Sequence, residues 1–317
     1  MKTITVIAPA YNEAEGIRDF YTVLKAELGK LIGYRPDMLF VIDGGADKTI
    51  DILRDIAAAD PALRVLKFSR NFGHQMAYLA GIDHADADVV IMMDSDLQHP
   101  PAVIPHLLAE FEKGSDVVYT VREKTKNQGF VRRTQSVIFY WFLNLISEVP
   151  IGENTSDFRL ISRRVARLIQ GSIRERSMFL RGIVSWVGFK QSAVHYQAAE
   201  RFAGKSKLPL GRLIQFGLSG IVSFSKKPLR AASVVGLLFA LFGLAFAALT
   251  TWQYFTGQID QPGFATVVVL LSVFGGVQLM FLGVIGEYVG AIFDQVKLRP
   301  HYIIEEAINI TPARLDG

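Results

Sequence analysis

"VVIMMDSDLQHPP", Val89 to Pro101, is an apolar run that ends in two carboxylates one residue apart and then in a pair of prolines. A short uncharged apolar run reads as a buried strand, and proline at a first turn opens a helix. The same punctuation recurs towards the N-terminus. Apolar runs at Thr3–Ala8, Met38–Ile42 and Leu63–Phe68 end in the polar clusters "PAYNE", "DGGAD" and "SRNFG", and another run follows at Asp116–Val121. Amphipathic segments at Glu13–Lys30, Lys48–Ala58, His74–His84 and Ala102–Lys113 separate them. Strands alternating with helices of that length predict βαβ units, an α/β domain with a mostly parallel sheet and helices on both faces. Ligands bind such sheets outside the carboxyl ends of the strands, so the four polar clusters should converge on one crevice.

The chain of 317 residues is longer than one average domain, and its hydrophobicity is uneven. Residues 1–200 read as the soluble α/β domain. Ala231–Phe255 and Phe264–Ile285 carry no charge, and each is long enough to cross a bilayer. The spans, about 231–255 and 264–286 within a 230–295 region, are joined by "TGQIDQPG", which has no Lys or Arg. Lys226, Lys227 and Arg230 precede the first span and Lys297 and Arg299 follow the second, so the positive-inside rule puts the soluble domain in the cytoplasm. Before the spans, the basic region 201–229 places Leu210, Leu213, Ile214, Gly217, Leu218 and Ile221 on one helical face. That pattern predicts a helix lying in the membrane interface. Residues 296–317 read as a short cytoplasmic tail. The aromatic segment Phe130–Ile146 is either a core helix or one whose aromatic face meets the membrane.

Composition excludes several chemistries. There is no cysteine, hence no disulfide, thiolate metal site or cysteine nucleophile. The net charge of +4 is too small to argue for a nucleic-acid partner. The six histidines show no zinc spacing, and neither a nucleophile-elbow nor a P-loop pattern occurs. The N-terminus has no apolar stretch of signal-peptide length. What remains is carboxylates, a metal and cations. Asp94 and Asp96, at i and i+2 of a strand end, would share one face, and with the amide oxygen of Gln98 they offer three hard oxygen ligands. Magnesium or manganese prefers such ligands and keeps positions for water and phosphate. His99, beside a helix start, is outside the first shell on this reading.

The order and spacing of "PAYNE", "DGGADKT", "SRNFGHQMAYLAGID", "DSDLQHPP", "SDFRLISRRV", "RFAGKSK" and "FSKKPLR", followed by two spans, resemble the polyprenyl-phosphate glycosyltransferases of the inverting family with a GT-A fold. The likeness runs from about residue 3 to 300 and is closest to the bacterial two-span branch. It implies a nucleotide-sugar donor, a polyprenyl-phosphate acceptor, Mg2+ or Mn2+, a bacterial inner-membrane location and a homo-oligomer. By the same resemblance Pro9, Tyr11 and Glu13 flank the base and ribose, Asp43 accepts a hydrogen bond from the base, and Arg70 lies on the donor side. Asp94, Asp96 and Gln98 match the family's metal motif. The sequence departs from the family's usual D-D-G-S, because Ile42 replaces the first acid and Gly45 the serine.

Asp157 in "SDFRL" occupies the place where relatives without lipid acceptors keep a catalytic base. A phosphate monoester is mostly a dianion at neutral pH, with its second pKa near ~6, and needs little deprotonation. Asp157 is therefore expected to orient the acceptor or assist weakly. The dianion needs cations, and Arg122, Arg132, Arg133, Arg201 and Lys207 are available, arginine suiting phosphate through its planar fork. The expected reaction is transfer of a hexose, glucose from UDP-glucose before mannose, N-acetylglucosamine, galactose or formamido-arabinose, to undecaprenyl phosphate. A processive polysaccharide synthase would carry a Q-x-x-R-W signature, which "RGIVSW" does not match. A catalytically silent membrane scaffold would have no use for intact carboxylates.

Overall fold

A computed structural model describes residues 1–122, 155–176, 178–197, 226–257 and 263–310. The chain divides into two units. One comprises Met1–Val137, Ile151–Leu208 and Leu298–Gly317, the other Ile138–Pro150 and Pro209–Lys297. The aromatic segment 130–146 and nearly all of the basic region 201–229 lie outside the described residues.

In the first unit the predicted alternation is observed. It runs β1 (Lys2–Ala10), α1 (Ile17–Leu28), β2 (Tyr34–Ile42), α2 (Thr49–Ala59), β3 (Leu63–Phe68), α3 (His74–Asp83) and β4 (Val89–Met92). A 3-10 turn at Pro101–Val103 leads into α4 (Ile104–Glu112), then β5 (Val117–Arg122), β6 (Thr155–Ser162), α5 (Arg163–Gly171), α6 (Leu180–Trp186) and β7 (Gln191–Tyr196). The strands form one sheet of order β7-β5-β6-β4-β1-β2-β3-β8, where β8 is Ile304–Ile308. β1 pairs in parallel with β2 and β4, and β2 with β3. β6 runs antiparallel to both β4 and β5, so the sheet is mixed on that side. The chain steps to opposite sides of β1, and this switch of direction opens a crevice at the strands' carboxyl ends.

Burial explains the apolar runs. β1 from Ile4 to Ala10 is buried throughout, as a central strand covered on both faces must be. α1 buries Ile17, Phe20, Leu24 and Leu28, one stripe at helical spacing. α3 lies unusually close to the sheet: a Cβ added at Gly81 would come within 2.3 Å of the Ile7 side chain. The C-terminal segment, expected to be a tail, instead adds an edge strand. β8 pairs antiparallel with β3, with Val65 opposite Ile308 and Phe68 opposite Ile304.

In the second unit, α7 (Lys227–Phe255) and α8 (Phe264–Val296) contain windows long and apolar enough to cross a membrane, Leu229–Phe255 and Val269–Val296, with mean hydropathies of 2.4 and 2.1. α8 runs ten residues beyond the expected span end, through Glu287 and Asp294. At 1.5 Å per residue it is ~50 Å long against a hydrocarbon core of ~30 Å, so it exceeds what one upright crossing requires.

Candidate active site

Three loops at the carboxyl ends of β1, β2 and β3 interlock. The Asp43 amide donates to the Ala10 carbonyl (3.0 Å), extending the β1–β2 pairing by one residue. Asn12 takes a left-handed conformation (φ 55°), and its Oδ1 accepts the Ala46 amide at 3.2 Å. The Glu13 amide donates to Thr49 Oγ1 and the Ala14 amide to Asp47 Oδ2, both at 3.0 Å. Gly44 (φ +71°) meets the third loop so closely that a Cβ would stand 2.7 Å from the Arg70 carbonyl carbon and the Asn71 nitrogen. Gly45 (φ +100°) would place a Cβ 2.7 Å from Asn12 Oδ1. The departure from D-D-G-S at Gly45 thus falls where a side chain would be both strained and obstructed.

The expectation that Asp43 accepts a hydrogen bond from a nucleotide base meets a carboxylate already engaged. Asp43 is 4% exposed, and its oxygens accept the Phe72 amide at 2.7 Å and the Gly73 amide at 3.0 and 3.1 Å. What it holds in this structure is the third loop. On that loop Arg70 is exposed and stacks its guanidinium 4.0 Å from the centre of the Phe72 ring. Pro9 is buried at the end of β1, Tyr11 beyond it is 51% exposed, and Glu13 is partly buried at the turn into α1.

The acidic cluster differs from the strand-end picture. β4 stops at Met92, and Asp94 and Asp96 lie in the following turn, where Leu97 adopts φ 61°. The two carboxylates therefore do not share a face by strand alternation. Ser95 between them is buried and donates to the Pro9 carbonyl (2.8 Å), which fastens this turn to the first loop. Asp94 Oδ1 accepts the Tyr78 hydroxyl at 2.7 Å and His74 Nε2–H at 2.9 Å, while Oδ2 lies 3.5 Å from His99 Nδ1. Burial alone would raise the Asp94 pKa, but the His74 hydrogen bond, the charge of His74 and the Tyr78 bond together hold it below the usual carboxylate range. Burial likewise opposes protonation of His74; the Asp94 bond and the charges of Asp94, Asp157 and Asp43 outweigh it and raise its pKa.

His99 is 6% exposed and structural. Its Nδ1 accepts the Asp94 amide (2.9 Å), which leaves Nε2–H to donate to Ser156 Oγ (2.6 Å), and its ring stacks on Phe158. Burial, the largest influence, lowers its pKa, in keeping with a neutral ring.

Among the described residues no group of three His, Asp or Glu is disposed to hold a metal ion, so a ready three-ligand cage is not formed. One Asp94 oxygen is committed to Tyr78 and His74. Asp96 Oδ1 accepts the Gln98 amide at 3.1 Å, and its second oxygen has no partner among the described residues. The Gln98 side-chain amide nitrogen is buried without a partner among them. Amide oxygen and nitrogen are interchangeable by a flip, so the same position can present an oxygen. This donor set suits a hard divalent ion that takes most of its ligands from phosphate and water.

On the strand next to β4, β6 carries Asp157, whose carboxylate is forked by Arg181 of α6 at 3.0 Å (Nη2) and 3.3 Å (Nε). Arg159 Nη2 lies 3.6 Å from the same carboxylate. Arg159 is 3% exposed; burial lowers its guanidinium pKa to about 10, and Asp157 opposes that fall. Arg181 was not among the residues expected from the sequence. Its only signal is a lone cation in the apolar context "MFLRGIV", and the pairing with Asp157 is visible only once β6 and α6 are assembled. Arg122 is exposed at the end of β5, opposite Tyr196 of β7. Arg132, Arg133, Arg201 and Lys207 lie outside the described residues.

Comparison with known proteins places this geometry. Residues 5–182 match glycosyl transferase family 2, and residues 227–292 match the GtrB C-terminal hairpin. The chain is 40% identical over 304 residues to a bactoprenol glucosyl transferase of Shigella phage SfII, covering 96% of this chain and 98% of that one. A prophage bactoprenol glucosyl transferase homolog of Escherichia coli K12 is 38% identical over 302 residues, covering 95% and 98%. An uncharacterized glycosyltransferase of Bacillus subtilis is 38% identical over 311 residues, covering 98% and 96%. With its GT-A sheet, its crevice of carboxylates and cations and its apolar hairpin, the chain is a glycosyltransferase and belongs to glycosyl transferase family 2.

Proposed function

We propose that the protein transfers glucose from UDP-glucose to undecaprenyl phosphate, with inversion at the anomeric carbon, on the cytoplasmic face of a bacterial inner membrane. The observation that carries this reading is the full-length likeness to bactoprenol glucosyl transferases, hairpin included. The asymmetry of cations about the hairpin, with Lys226, Lys227 and Arg230 at one end and Lys297 and Arg299 at the other, supports the orientation.

The acceptor's phosphate oxygen attacks C1 of the sugar; the new O–C1 bond forms as the bond to the nucleoside diphosphate breaks, and the electron pair leaves with the diphosphate. Mg2+ or Mn2+, when bound, would neutralise charge on the leaving group, and Asp96 with a flipped Gln98 would hold it. Pro9, Tyr11, Glu13 and the Arg70 loop held by Asp43 flank the donor. Asp157, forked by Arg181, is better suited to orienting cationic partners of the acceptor than to removing a proton, and the acceptor dianion has no proton to give. Arg122, with Arg132, Arg133, Arg201 and Lys207, would receive the acceptor phosphate. Much of the rate then comes from positioning.

The test is detergent-purified protein given labelled nucleotide sugars and undecaprenyl phosphate, with the lipid product identified by mass. UDP-glucose should be the productive donor, and Asp96→Asn should reduce transfer by about a hundredfold or more. Full activity of Asp96→Asn would sink the metal assignment, and a preference for another nucleotide sugar would replace glucose.

A further inference from the structure

The segment that follows α8 is fastened to the first unit along its whole described length. Glu306 forks Arg54 at 3.0 and 3.2 Å, Glu305 lies 2.8 Å from Lys67 Nζ, and Asn309 Nδ2 donates to the carbonyls of Ala57 (3.0 Å) and Leu63 (2.8 Å). Its start is tied as firmly: Arg176 donates to the Arg299 carbonyl, and the Tyr302 hydroxyl donates to Asp83 (2.7 Å), itself gripped by Arg174. An antiparallel β8 delivers the chain at the carboxyl end of β3, where the pairing is irregular between Lys67 and Phe68.

At that irregularity the segment touches the third loop. The Ser69 amide donates to the Ile303 carbonyl at 3.0 Å. The Tyr302 ring stacks on Phe68, with centroids 5.2 Å apart and planes 15° apart, and Phe68 stands edge-on to Phe72 at 5.6 Å. Phe72 in turn carries the stacked Arg70 guanidinium and gives its amide to Asp43. A continuous run of ring contacts therefore joins the C-terminal segment to the loop that abuts Gly44.

We propose that residues 298–309 form a strap that presets the Ser69–Gly73 loop for the nucleotide-sugar donor, with Tyr302 as its positioning residue. The proposal rests on reading that loop as the donor's side of the crevice. Tyr302 touches no reacting atom; it acts through Phe68 and Phe72, so its removal loosens the loop and weakens donor binding while leaving the chemical step intact.

Full-length protein in detergent carries the test, with Tyr302→Ala and Tyr302→Phe compared by donor kinetics and by hydrogen exchange at the Phe72 and Gly73 amides. Tyr302→Ala should raise the UDP-glucose KM about three- to tenfold, the worth of one aromatic pair, with kcat within about twofold and faster exchange at both amides. Tyr302→Phe keeps the ring and should stay within about twofold of the parent in KM. Tyr302→Leu, which keeps apolar bulk without the aromatic face, gives the same comparison where Tyr302→Ala does not purify. Unchanged KM and exchange in Tyr302→Ala, or Tyr302→Phe as impaired as Tyr302→Ala, overturns the proposal. If the parent protein transfers nothing from UDP-glucose, the functional reading fails, and exchange at Phe72 and Gly73 still decides the strap: faster in Tyr302→Ala alone supports it, unchanged refutes it.

Discussion

Removing the fork on Asp157 separates an orienting carboxylate from a catalytic base. Arg181 makes two charge-assisted hydrogen bonds to a carboxylate whose side chain is 18% exposed, and the guanidinium itself is 28% exposed. A pair so placed is partly screened, so the coupling between the two residues should be about 2 kcal/mol rather than the larger value of a fully buried pair. Arg181→Gln and Asp157→Asn should each lower kcat/KM for undecaprenyl phosphate by about tenfold to a hundredfold, and the double variant should be little worse than the poorer single one. The assay is labelled transfer at saturating donor across pH 5–9, in about one-unit steps that bracket the acceptor's second ionisation. For an orienting role, the residual rate of Asp157→Asn rises through that ionisation near ~6 and then levels. A general base typically contributes about 10²–10⁴-fold, and its loss would leave a rate that keeps climbing with hydroxide. Strictly additive single effects, or a residual rate still rising at the alkaline end, would refute the orienting assignment.

Two further outcomes test the frame around the site. Gly44→Ala puts a Cβ 2.7 Å from the Arg70–Asn71 backbone at φ +71° and should destabilise the domain by about 2 kcal/mol or more, read as a lowered Tm with poorer donor binding; a Tm equal to the parent's would show that the loops are not interlocked. Asp60 accepts the Tyr21 hydroxyl (2.7 Å) and the Ala62 amide (3.0 Å) and pairs with Lys25; burial opposes these, yet its pKa is lowered. A carboxylate with a depressed folded pKa stabilises above its unfolded value of about 3.9 and loses that contribution as pH falls through the folded value. Asp60→Asn should therefore flatten the acid limb of the stability curve below about pH 4 and leave its slope near neutrality unchanged, as denaturant melts at stepped pH would show.

The sequence carried the first half of the sheet because its signals are local. Each of β1 to β4 is a short apolar run closed by a polar cluster, and α1 shows its buried stripe in the spacing of Ile17, Phe20, Leu24 and Leu28. The two long apolar helices were equally legible, since an uncharged stretch of that length needs no partner to interpret, although the second continues ten residues past its uncharged run. What escaped depends on distant pairing. "IIEEAI" carries two adjacent acids among its six residues and follows two apolar helices, so it reads as a tail, whereas its partner β3 lies more than two hundred residues earlier. Asp43 signalled a turn but not that the turn's partners would be the Phe72 and Gly73 amides. Strand alternation misplaced Asp94 and Asp96 because β4 ends two residues before the first of them, a boundary set by the Ser95–Pro9 hydrogen bond and the left-handed Leu97 rather than by hydrophobicity.

The position of β8 in the chain has a consequence for biosynthesis. The strand that completes the sheet is translated after both apolar helices, so while a ribosome is still making the hairpin, β3 presents an open, largely buried-type edge with no partner. Unpaired edges of that kind template association between chains. A chain interrupted anywhere between Lys297 and Ile308 would therefore carry both apolar helices and an uncovered β3 edge, whereas a chain that continues through β8 covers that edge with a strand bearing Glu305 and Glu306. Completion of the sheet is thereby made to wait for the two apolar helices, and the order of synthesis itself discourages the α/β unit from maturing without them.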